Sequence, residues 1–160
     1  MTKATAKKIA RAYEFAAANH GSQRDKAGNP YLHHVLDVAR RVRSFGPEYE
    51  IVAALHDSVE DTEASLEEIE ELFGKEICRG VEAMTHRPDE EYFDDYMARV
   101  LMNPISQVVK FADSTDNLAK AAQIEDPVKR ARMEAKYRKA LAMLADVLPA
   151  ETVEAIRSVF

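Results

Sequence analysis

Five consecutive apolar residues, Ile51-Val52-Ala53-Ala54-Leu55, run directly into His56-Asp57-Ser58-Val59-Glu60-Asp61-Thr62. A block that is apolar nearly all round belongs at the centre of a helical fold, and the spacing predicts one helix over about 48–59. His56 and Glu60 are four residues apart, as are Asp57 and Asp61, so neighbouring rows of that helix carry four ionisable groups. Three of them are carboxylates beside a block that has to be buried. Burying like charges demands a counter-charge or strongly raised pKa values. A metal ion satisfies that demand; a helix that ends here, leaving the groups in water, removes it.

The rest of the chain repeats the helical period. Ile9, Ala12, Tyr13, Ala16 and Ala17 predict a helix over 4–19, and the polar stretch 21–30, with Gly28-Asn29-Pro30, reads as a loop. Further helices are expected over about 32–44, 66–73, 75–84, 94–102, 105–121, 127–147 and 149–159. Ser65 and Glu68 form a capping-box pattern ahead of one of them, and Gly74 closes it. Strand-like alternation, repeats and an interdomain linker are missing, so the expectation is one all-α domain over 1–160. The 160 residues, 46% hydrophobic and 31% charged, suffice for a core and exclude a disordered chain. No apolar run reaches the ~20 residues that span a bilayer, and the N-terminus has no signal-peptide pattern. The single cysteine, Cys78, cannot form an internal disulfide. A cytoplasmic protein without a membrane partner is expected. The net charge of −6 argues against nucleic acid as a non-specific partner.

Two more sites repeat the pattern of ionisable groups inside apolar helices. Val108-Val109-Lys110-Phe111-Ala112 ends in Asp113, with Asp116 and Asn117 a turn later, and His34 lies just inside another helix. Two histidines and two aspartates from separate helices can close a nitrogen–oxygen site for Mn, Fe, Co, Ni or Zn. Without thiolates such a site suits metal-assisted hydrolysis at phosphorus, and Glu60 is spaced to orient or deprotonate a water. After His86 the sequence has no histidine, which disfavours a two-metal centre.

His34, His56-Asp57 and Asp113 form an H…HD…D pattern, and the text around it is more specific. Arg24-x-Lys26-x-Gly28-x-Pro30-Tyr31-x-x-His34, then Ala54-Leu55-His56-Asp57-x-x-Glu60-Asp61-Thr62, Phe73-Gly74, and Val109-Lys110-x-Ala112-Asp113-x-x-x-Asn117 follow in order. Over about 12–118 the chain resembles the hydrolase domain of the RelA/SpoT alarmone enzymes and the small stand-alone alarmone hydrolases, all HD-domain metal-dependent phosphohydrolases. The helices beyond, about 128–160, would complete the bundle. The resemblance implies a compact HD-domain helical bundle in which His34, His56, Asp57 and Asp113 hold one divalent ion, usually Mn2+. It implies Glu60 and Asp61 as the pair that activates and positions water, Asn117 beside the sugar and phosphate, and Arg24 and Lys26 bordering the base and phosphates. The implied reaction removes the 3′-pyrophosphate of (p)ppGpp.

The chain also departs from that pattern. Ser114-Thr115-Asp116-Asn117 stands where the long enzymes usually have Arg, one residue, then His-Asn, and His86-Arg87 stands where they usually have Lys-Leu. These departures leave other nucleotides open: a nucleoside monophosphate, (p)ppApp or NADPH. A module that senses a nucleotide without hydrolysing it is the reading from another class, and Glu60 with Asp61 argues against it. The length leaves no room for a synthetase domain beside these motifs, so synthesis of the alarmone is not expected. Lys110 and Arg99 are expected either to face an anion or to pair with a carboxylate. The C-terminal apolar residues Leu141, Leu144, Val147, Val153, Ile156 and Val159 fit burial within the domain or in a homo-oligomer.

Overall fold

The central helix is set by its N-terminal stop. In the computed structural model, which describes residues 1–25 and 28–160, Gly46 takes φ 133°, a conformation that favours glycine, and Pro47 opens the next helix with its preset φ. That helix, α3 (Pro47–Leu55), follows α1 (Lys3–His20) and α2 (Leu32–Val42). Ile51 through Leu55 are all buried, because α1, α2 and two later helices, α6 (Lys75–Met84) and α8 (Pro104–Ala121), surround them. A helix covered on every side needs an apolar surface on every side, which is what this block provides.

The helix expected over 48–59 is not continuous. It stops at Leu55, His56 and Asp57 form a turn with Asp57 at φ −101° and ψ 0°, and a short α4 (Ser58–Asp61) follows. The His56 ring is tied back to its own helix, with Nδ1 2.7 Å from the Ala53 carbonyl oxygen. A nitrogen facing a carbonyl must carry hydrogen, so the ring takes an acceptor that helix termini leave open.

Other boundaries follow their local chemistry. Ser65 and Glu68 form the full reciprocal capping box at α5 (Leu66–Phe73). Beyond α6 the chain makes a π-helical turn (Tyr92–Tyr96), where a helix was expected only from 94, and then α7 (Met97–Leu101). Asn103 and Asp126 cap α8 and α9 (Pro127–Ala145), each with proline in the first turn. A 3₁₀ turn, Arg43–Phe45, finishes α2, and α9 and α10 (Ala150–Arg157) end two residues short of expectation. Leu141, Leu144 and Ile156 are buried within the chain's own core.

Among the described residues there is no β-strand, only an isolated bridge between Arg24 and Pro30. None of the described helices is long and apolar enough to cross a membrane. The arrangement α2 against α3 and both against α8 brings the first turn of α2, the C-terminal end of α3 and the middle of α8 together. That junction positions the site.

Close packing beneath α3 yields a test. A Cβ added at Gly80 of α6 would lie 2.8 Å from Cγ2 and 3.2 Å from Cγ1 of the buried Val52. Val52 is β-branched and nearly fixed in rotamer. Overpacking, costing roughly 1–3 kcal/mol, should therefore outweigh the gain of about 1 kcal/mol that alanine brings to an open helix. Gly80→Ala is expected to lower the urea midpoint, corresponding to a net loss of about 1 kcal/mol.

Candidate metal centre and adjoining cavities

His34 sits in the first turn of α2 and is almost completely buried, as are His56 at the end of α3 and Asp113 on α8. One ligand atom from each of His34, His56 and Asp57 falls within a sphere where all lie within 4.8 Å of one another. Asp57 Oδ2 is 2.8 Å from His56 Nε2 and 3.7 Å from His34 Nε2. Asp113 Oδ1 stands 3.1 Å from His34 Nε2 and 3.6 Å from His56 Nε2. Thus the four residues expected to bind metal converge, with the imidazole Nε2 atoms innermost.

Those Nε2 atoms fit a cation. Both are buried and neither makes a properly directed hydrogen bond. Each Nδ1 is turned outward to an acceptor, the Ala53 carbonyl for His56 and Asp116 Oδ2, at 2.6 Å, for His34. Two imidazole nitrogens and carboxylate oxygens form a hard-to-borderline donor set that suits a divalent ion.

The cluster is held electrostatically. Burial works against charge here, yet Asp57 and Asp113 raise the His56 pKa well above its ordinary value. Burial likewise opposes charge on His34, and the adjacent Asp113 and Asp116 carboxylates raise its pKa. Asp113, despite burial, is held well below the carboxylate range by Lys110 and the histidines. Lys110 Nζ is 2.8 Å from Asp113 Oδ2, and Asn117 Nδ2 donates to Asp113 Oδ1 at 2.6 Å. Lys110 thus pairs with the cluster itself, whereas Arg99 pairs with Glu90.

Glu60 and Asp61 have the opposite character. Burial, then the Asp57 charge, raises both carboxyls above the ordinary range. The main-chain N–H of His86 donates to Glu60 Oε1 at 2.5 Å, and Gln23 Nε2 donates to Asp61 Oδ2 at 3.5 Å. A carboxylate with a raised pKa, held in place and bordering a cavity, is suited to accepting a proton.

Two cavities adjoin the cluster. The larger, about 720 Å³, is lined by His34, Tyr31, Asn117, Lys120, Lys129 and Tyr137 among others. The smaller, about 160 Å³, is lined by Asp57, Glu60, Asp61, Asp113, Lys110 and Lys136 among others. Tyr31, Asn117 and Tyr137 border both.

The residues expected to contact the nucleotide are not all gathered. Asn117 is at the junction of the cavities. Arg24 is exposed, its Nη1 donates to the Gly28 carbonyl at 2.9 Å, and it lines neither cavity. Lys26 lies outside the described residues. Sequence reasoning missed Tyr31, whose hydroxyl donates to Asp57 Oδ2 at 2.5 Å, and the support that Asp116 gives His34. Tyr31 lies three residues before His34, so it falls one helical turn away; that spacing was the available signal.

The sequence pattern of the HD domain matches residues 12–159. The chain belongs to the HD domain family. A relative in Aquifex aeolicus, named guanosine-3′,5′-bis(diphosphate) 3′-pyrophosphohydrolase, is 38% identical over 122 residues, covering 71% of this chain and 18% of the relative. A probable enzyme of the same name in Synechocystis is 47% identical over 79 residues, 48% of this chain and 10% of the relative. The chain therefore spans less than a fifth of the length of these curated relatives. Among solved structures, a metazoan orthologue of SpoT that hydrolyses ppGpp superposes with a TM-score of 0.76 at 25% identity, covering 96% of this chain and 93% of that one.

The pKa directions fix how the metal-free chain should respond to pH. His34 and His56 have raised folded pKa values, so their stabilisation is complete below about 6.5 and is lost as pH rises through the folded values. Asp57 and Asp113 are depressed, so theirs is present above about 4 and is lost as pH falls. Thermal unfolding of the chelator-treated protein should peak between about pH 4 and 6.5. Metal uptake, which requires neutral imidazoles, should strengthen as pH rises and release protons; calorimetry in buffers of different ionisation heat measures that release.

Proposed function

We propose that this HD domain is a divalent-metal-dependent phosphohydrolase that removes the 3′-pyrophosphate of (p)ppGpp. The observation that carries the reading is the convergence of two buried Nε2 atoms, neither in a directed hydrogen bond, with Asp57 and Asp113 beside a nucleotide-sized cavity. The names of the relatives and the reported activity of the metazoan orthologue support the substrate.

In this reading His34, His56, Asp57 and Asp113 hold the ion, taken to be Mn2+. Such an ion supplies Lewis-acid polarisation of a phosphoryl oxygen and lowers the pKa of water. Glu60, fixed by the His86 N–H, accepts a proton from the attacking water, and its raised pKa brings it closer to neutral conditions. Asp61, held by Gln23, orients that water. Tyr31 fixes Asp57, while Lys110 and Asn117 fix Asp113. The large cavity receives the nucleoside, with Asn117 beside the sugar and phosphate. For Arg24 to reach the base or phosphates it must release the Gly28 carbonyl; Lys26 is assigned with it to the same cationic border. A cytoplasmic setting belongs to this reading.

Incubation with Mn2+ and ppGpp should yield GDP and pyrophosphate, identified by mass. Turnover of (p)ppApp, NADPH or a nucleoside monophosphate with ppGpp untouched would replace the substrate, and no turnover of any of them would favour the sensing module. Glu60→Gln is expected to keep metal binding and to lower kcat by about 10²–10⁴-fold. His56→Ala and Asp113→Ala should lose metal and activity together; wild-type turnover in either would refute the ion site.

A further inference from the structure

Asp116 occupies one of the positions where the chain leaves the alarmone-hydrolase pattern, and its carboxylate is buried against His34 rather than facing the large cavity's solvent. Asp116 Oδ2 is 2.6 Å from His34 Nδ1 and 2.8 Å from Lys120 Nζ. On α8 it follows Asp113 by three residues, so one helix face carries both an oxygen beside His34 Nε2 and an oxygen on His34 Nδ1. The ring is thus gripped at both nitrogens from a single rigid element.

We infer that Asp116 is a positioning residue: by accepting the Nδ1–H of His34 it commits that imidazole to presenting Nε2 to the metal centre. The inference rests on the reading that the cluster holds a divalent ion. An ionised carboxylate can only accept, so it selects the tautomer with hydrogen on Nδ1. It also increases the electron density of the ring, making Nε2 a stronger ligand. His56 receives the same orientation from a neutral acceptor, the Ala53 carbonyl. The two imidazoles are therefore unequal donors, His34 being the stronger. Lys120, one turn further along α8, anchors the Asp116 oxygen and keeps the carboxyl from rotating away.

Metal binding without substrate tests this separately from the hydrolytic reading. Mn2+ titration of the metal-free chain should give affinity falling about 10–100-fold in Asp116→Ala. Asp116→Asn, which keeps a neutral acceptor, should fall between that variant and the wild type. In the wild type loaded with diamagnetic Zn2+, long-range proton–nitrogen spectra should show His34 protonated on Nδ1, with a proton shifted downfield by its carboxylate partner. Equal Mn2+ affinity across the three chains, or a His34 proton on Nε2 in the Zn2+ form, overturns the inference. The wild-type spectrum decides should a variant fail to fold. A wild type that takes up neither ion overturns it together with the metal reading. Loss of ppGpp hydrolysis with metal binding intact would sink the substrate and leave Asp116 in its role.

Discussion

Charge burial at the junction of α2, α3 and α8 is the constraint around which this domain is organised. Asp113 is removed from water together with His34, His56 and Lys110, and Asp57 closes the group from the rim of the smaller cavity. Isolated, any of these charges would be costly to bury; assembled, each lowers the cost of the others. The assembly works only when three helices meet at one level, so helix packing and site geometry are the same requirement. The apolar block of α3 supplies that packing and delivers His56 and Asp57 at its end.

An ion at this centre would enter a site whose positive charge is already supplied by protons. Displacing the histidine protons leaves Lys110 to balance Asp113, so the lysine would remain a neighbour of the bound metal. The result is a centre with fewer net negative charges than its carboxylates suggest, which favours an anionic substrate. Lys110 and Lys136 border the smaller cavity beside Asp57, Glu60, Asp61 and Asp113, and Lys120 and Lys129 border the larger beside Asp25, Glu125 and Asp126.

Much of this was legible from residue types. α5 and α6 match their expected spans, because the Ser65 capping box opens α5 and Gly74 separates it from α6. Ionisable groups interrupting otherwise apolar helices marked the region, and the H…HD…D resemblance singled out the four residues that converge. The break after Leu55 was not legible: helical spacing runs through it, and the turn depends on the His56 ring reaching the Ala53 carbonyl. The direction of Arg24 was not legible, because a loop cation can point either way, and here it donates to a local carbonyl. Tyr31 and Asp116 each lie within one turn of a converging residue, but the bonds by which they support the site reach side chains remote in sequence. Their partners lie 26 and 82 residues away in sequence.

The Glu60 carboxylate is anchored through the main chain of position 86, not through the histidine ring. Every residue except proline offers the same N–H. The ring is occupied elsewhere, against Tyr92, Tyr96 and the Glu90 carbonyl. Position 86 can therefore drift in side-chain identity while the path of the backbone preserves the contact. Substitution scans and sequence comparisons read side chains, so this anchor is silent to both, and a change from Lys-Leu to His-Arg at this point leaves it untouched.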